Sequence, residues 1–126
     1  MKKLLQIFII LLSIYSFGQT EKKCQNFKTG EFKYLNKNLP IKITRTDSTQ
    51  IEKDLVSGME IHTTINWQSE CKYILTYKKI LNSKQDYSQM IGKKIYAEIT
   101  HINENWIKVH FESEASNEDI KFVKIN

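Results

Sequence analysis

Two cysteines, Cys24 and Cys71, a single arginine, Arg45, and three histidines, His62, His101 and His110, are the side chains of this sequence best suited to chemistry. An even cysteine count in an exported chain implies a disulfide. A Cys24–Cys71 bridge closes a long loop and stabilises by roughly 2–4 kcal/mol through the unfolded chain. Thiolate ligation of a metal is the alternative, but zinc sites use close ligand spacings that these two residues lack. Strand alternation sends His101 inward and His62 and His110 outward, so the histidines do not converge and no metal is expected. The acidic stretch 112–119 lacks the glycine and ligand order of a calcium loop and reads as a hairpin loop. No Gly-x-Ser-x-Gly elbow is present, and the carboxylates fall mostly at outward or loop positions. The expectation is a non-enzymatic protein with no catalytic residue and no cofactor.

Arg45 is the most informative residue. Alternation with Ile41 and Ile43 turns it inward, and a buried guanidinium requires a carboxylate, carbonyl groups or an aromatic face. Two readings follow. In one, Arg45 anchors an anionic ligand head at a barrel mouth, with Trp67, Tyr73 and Tyr77 as further ligand-binding candidates. In the other, it ties the Thr46-Asp47-Ser48 turn to a neighbouring strand through Glu52 or Trp67. A separate candidate is the outer face formed by Tyr96, Ile102 and Trp106. Its aromatic, apolar character suits a protein contact; cover by the segment 81–92 is the competing explanation.

The elements that must position these residues are strands. Ile, Thr, Tyr, Phe, Val and Trp are abundant and favour pleated, half-buried surfaces. Residues 59–67 and 71–78 alternate with period two. A three-residue loop 68–70 then sets Trp67 opposite Cys71, Ile65 opposite Tyr73 and Ile61 opposite Tyr77. Residues 93–112 repeat the pattern. A loop 103–105 pairs Ile99 with Val109, Ala97 with Phe111, Glu98 with His110 and Ile102 with Trp106. Segments 27–35, 40–46 and 120–125 add strands, and 49–56 reads as one through Ile51 and Leu55. The fold expected is all-β: a single antiparallel meander of about eight short strands, as a small up-and-down barrel or a two-layer sandwich with one disulfide. So small a barrel is expected to be filled by its own side chains, with little room for a ligand.

Residues 1–18 have a different character. Lys2 and Lys3 precede an apolar run, and Ser16-Phe17-Gly18 supplies small residues at a cleavage site. This is the layout of a secretory signal peptide, and the run is too short to span a bilayer. Residues 19–126 then form one domain, exported to the periplasm or beyond, with no membrane span after removal of the leader. The net charge is +5, of which Lys2 and Lys3 contribute two. The other lysines lie singly or in pairs rather than on one basic face, which argues against nucleic-acid binding.

Three stretches resemble a family of small, exported, uncharacterised proteins of flavobacteria and their relatives: Cys24-Gln25-Asn26-Phe27-Lys28-Thr29-Gly30-Glu31-Phe32-Lys33-Tyr34; Ile43-Thr44-Arg45-Thr46-Asp47-Ser48 with Gln50-Ile51-Glu52; and Trp67 with Glu70-Cys71-Lys72-Tyr73 and Leu75-Thr76-Tyr77. Some members carry the label DNA topoisomerase IV, which a chain this short without a nucleotide-binding loop does not support. The resemblance implies export and domain extent, and no activity. A weaker likeness is to calycins, the barrels of lipocalins and fatty-acid-binding proteins. Many begin with Gly-x-Trp and pack an arginine on that tryptophan. Here Gly30-Glu31-Phe32 holds Phe at that place and no arginine lies near the C-terminus, so the likeness implies architecture alone. The functions compatible with these features are an interaction module working through a protein partner, a carrier of a small apolar or amphipathic ligand, and an inhibitor of an envelope enzyme.

Overall fold

The computed structural model describes residues 23–36 and 38–126; the leader expected at 1–18 lies outside them. Eight strands follow in order: β1 (Gly30–Tyr34), β2 (Ile41–Arg45), β3 (Thr49–Asp54), β4 (Glu60–Trp67), β5 (Lys72–Leu81), β6 (Lys94–Ile102), β7 (Trp106–Glu112) and β8 (Asn117–Lys124). Each pairs antiparallel with the next, and β8 returns to β1, closing a barrel. Closure leaves no free sheet edge. Among the described residues the remaining regular structure is one helical turn at 23–25 and a 3₁₀ turn at Ser88–Met90. Among the described residues no helix is long and apolar enough to cross a membrane.

The β6–β7 hairpin keeps the expected pairs Ile99–Val109, Ala97–Phe111 and Glu98–His110. Its tip differs. The register slips between Ile99 and His101, leaving Thr100 as an extra residue, so Ile102 pairs with Ile107 rather than with Trp106. A bulge of this kind reverses the faces beyond it. Ile102 therefore packs against the core and His101 is exposed, the reverse of what alternation gives.

The β4–β5 hairpin keeps its inward set but pairs two residues further along: Trp67 meets Tyr73, Ile65 meets Leu75 and Thr63 meets Tyr77. The connecting loop is longer than three residues, and the Gln68 N–H donates to the Lys72 carbonyl at 2.8 Å across it. A shift of two preserves the buried face, so hydrophobic pattern alone does not distinguish the two registers. Past Thr63 a second irregularity inserts one residue into β5, and Ile61 then meets Ile80.

Phe32, Ile43, Ile65, Tyr73, Ile99, Ile107 and Val109 fill one half of the barrel and are all 5% exposed or less. The turn 23–27 covers that end. Cys24 is bonded to Cys71, with their Cα atoms 5.4 Å apart, and Phe27 packs on Phe32. The last residues cover the same end: the Glu31 N–H donates to the Asn126 carbonyl at 2.8 Å. This approach requires Gly30, whose φ is +124° and where a Cβ would lie 2.5 Å from that same carbonyl oxygen. The double replacement Cys24→Ala/Cys71→Ala should keep the barrel but lower its unfolding free energy by about 2–4 kcal/mol, measured by urea denaturation against the oxidised protein.

Candidate functional site

The other end of the barrel is hollow. A cavity of about 790 Å³ opens between the connections 82–93 and 113–116. Its inner wall is apolar, with Leu75, Ile95, Phe111, Ile120 and Phe122 joined by the rings of Tyr34 and Tyr77. Phe122 organises that wall, sitting 5.1 Å from Tyr34 and edge-on to Phe111 at 5.9 Å, centroid to centroid. The expectation of a filled interior therefore holds for one half of the barrel only.

Into this wall β3 projects a carboxyl group, Glu52. Glu52 is half-buried, and its one hydrogen bond among the described residues comes from the Tyr34 hydroxyl, at a long 3.5 Å from Oε2. Burial raises its pKa, while the Tyr34 hydroxyl and the Arg45 charge act in the opposite direction. Burial, followed by the Glu52 charge, also raises the pKa values of Tyr34 and Tyr77. Both phenols thus stay protonated at neutral pH and are available as donors.

Sequence patterning named Glu52 only as a partner for Arg45 and missed it as a cavity residue, because it read β3 through Ile51 and Leu55. The structure turns Gln50 and Glu52 inward, leaves Ile51 half-buried on the other face, and places Leu55, 61% exposed, in the turn after the strand. A signal was present: an inward Arg45 requires acceptors on the adjacent strand, and that requirement selects Gln50 and Glu52 over their apolar neighbours.

Arg45 lies at the filled end and does not line the cavity. Its Nε and Nη2 donate to Gln50 Oε1 at 3.0 and 2.7 Å, Nη1 to the Phe27 carbonyl at 2.9 Å, and Nη2 also to the Tyr73 hydroxyl at 3.1 Å. The guanidinium carbon stands 4.7 Å from the Tyr73 ring, 5.1 Å from Phe32 and 5.9 Å from Trp67. These contacts bring Arg45, Trp67 and Tyr73 together as a plug. Of the four ligand-binding candidates only Tyr77 borders the cavity. Arg45 thus ties β2 to β3 through Gln50 rather than Glu52, and to the turn 23–27 and β5 through the Phe27 carbonyl and the Tyr73 hydroxyl.

The outer aromatic face is also rearranged. Ile102 is withdrawn by the bulge, and Lys121 covers the Trp106 ring at 5.0 Å. Tyr96, 54% exposed, borders the cavity opening. Nearby, half-buried His110 places Nδ1 2.7 Å from the Asp119 carboxylate and Nε2 3.2 Å from that of Glu112; these two bonds, Asp119 first, raise its pKa. No cluster of three or more His, Cys, Asp or Glu side chains among the described residues is arranged to hold a metal ion.

The open end of the barrel has an unusual surface. Alternate connections of an up-and-down barrel lie at one end, so the β1–β2, β3–β4 and β5–β6 connections share the end at which the cavity opens, although of their described residues only Met90, Gly92 and Lys93 line it. They and the last residue of β5 carry Leu35, Leu39, Leu55, Val56, Leu81, Tyr87 and Ile91, the exposed large apolar side chains of the described residues apart from Tyr96 and Ile125. Val56 is 83% exposed. Comparison with protein-family models, curated proteins and solved structures finds no match.

Two outcomes follow from the charged residues. Arg45→Met should destabilise the fold by about 3 kcal/mol, since Gln50, Tyr73 and the Phe27 carbonyl lose their donor inside the plug; chemical denaturation checks this. Glu52 behaves oppositely. Its folded pKa is raised, so it is neutral in both folded and unfolded states below the ordinary value of 4.5 and carries its full desolvation cost once ionised in the folded state. Glu52→Gln should therefore raise the Tm at about pH 8, with the gain vanishing as the pH falls below that ordinary value. Thermal melts across pH give the comparison.

Proposed function

We propose that this protein is an exported, non-enzymatic carrier that holds a small amphipathic molecule in the open half of its barrel. The observation that supports this reading is the 790 Å³ cavity, which falls within the range of small-molecule sites and combines an apolar and aromatic inner wall with charged residues, Glu52 together with Lys93, Lys94, Glu112, Glu114 and Glu118. Export is supported by the Cys24–Cys71 bridge, which suits an oxidising compartment, and by the leader read in residues 1–18. A protein-contact role for the outer face has less support, because Ile102 packs inward and Lys121 covers Trp106.

The test is saturable binding of a neutral apolar fluorophore, N-phenyl-1-naphthylamine. The native protein should bind it at one site with enhanced emission. Ile120→Trp, which fills the cavity from β8, should abolish the signal while circular dichroism stays native. Emission unchanged by Ile120→Trp in a folded protein would show that the fluorophore sits elsewhere and would remove the carrier reading.

A further inference from the structure

Resting on that carrier reading, we infer that the cavity selects amphipathic amines, molecules with an apolar body and a protonated amino end, by pairing the ammonium group with the Glu52 carboxylate. Three observations carry this. First, Glu52 projects into an apolar and aromatic inner wall without an ion-pair partner among the described residues. The one arginine, Arg45, spends its donors on Gln50, the Phe27 carbonyl and Tyr73, and the ion pairs among the described residues do not include Glu52. A carboxylate inside a protein without a cation carries a desolvation cost that an arriving ammonium offsets. A hydrocarbon-filling role in that position is better served by an apolar residue, so the acid has no evident packing purpose.

Second, the walls suit a cation with a hydrocarbon body. Tyr34 and Tyr77 present rings as well as hydroxyls beside Glu52, and aromatic faces attract ammonium groups. Beyond them Leu75, Ile95 and Phe122 offer apolar surface to an alkyl or aryl chain.

Third, the charge at the mouth runs against that of the molecule. The chain as a whole is net positive, at +5. The cavity nonetheless adds Glu112, Glu114 and Glu118 to Glu52, against Lys93 and Lys94, and Lys93 already faces Glu114 at 3.7 Å. A negative opening attracts cations and repels anions. A fatty acid therefore meets like charge both at the entrance and at its destination, whereas an amine meets opposite charge at both.

Isothermal titration of the native disulfide-bonded protein with decylamine, decanol and decanoate, each below its micellar concentration, separates the possibilities. The amine should bind most tightly and the carboxylate least. Glu52→Gln, which keeps the side-chain shape, should weaken decylamine by about tenfold or more, leave decanol within about twofold, and strengthen decanoate. Equal binding of decanoate and decylamine to the native protein, or decylamine affinity unchanged in Glu52→Gln, would overturn the selectivity while leaving the carrier reading intact, since decanol still binds. Failure of all three to bind would overturn the carrier reading and the selectivity together.

Discussion

The structure depends on one buried guanidinium. Arg45 brings a full positive charge into the end of a small barrel, where desolvation is costly unless every donor is used. Gln50 accepts two of its N–H groups, the Phe27 carbonyl a third, and the Tyr73 hydroxyl lies within reach of the same nitrogen that serves Gln50. Three aromatic rings enclose what remains. Those bonds fasten the N-terminal turn to β2, β3 and β5 and turn the near end of the barrel into a solid plug. The disulfide repeats the fastening covalently, from the same turn to the residue just before β5.

A solid end has a consequence for the open one. Eight strands enclose a fixed width, and at the closed end Phe32, Tyr73 and Trp67 pack around Arg45. Toward the mouth the inward positions are Tyr34, Glu52, Tyr77, Ile95 and Ile120, which line space rather than fill it. Closed-end packing supplies the stability that such a hollow forfeits. The Phe32 of Gly30-Glu31-Phe32 is among the rings stacked on Arg45, so an arginine–aromatic pair closes this barrel from β1 and β2 rather than from its two chain ends.

Glu52 and Arg45 lie on adjacent strands and share the interior, yet they do not form a pair. Gln50 stands between them in function: as a neutral acceptor it satisfies Arg45 without neutralising it, and so leaves the carboxyl group uncommitted. A direct Arg45–Glu52 bridge would have joined plug and cavity in one closed ion pair. Separation instead keeps a structural cation at the closed end and an available anion at the open one.

Alternation by itself determined the strand content, the inward faces of both main hairpins and the central register of β6–β7, because a face that must leave water repeats every second residue. An even cysteine pair likewise gave the disulfide, and alternation with Ile41 and Ile43 turned Arg45 inward. Only the tertiary structure decided the rest. The bulge at Thr100 turned Ile102 inward and His101 outward, and the two-residue shift at Trp67–Tyr73 was invisible to a pattern that repeats with the same step. β3 turns Gln50 and Glu52 to the interior and Ile51 to the other face, with Gln50 meeting the Arg45 guanidinium. Side chains distant in the chain divide the interior into plug and cavity, and that division is a property of packed volume, which a linear pattern of polar and apolar residues does not contain.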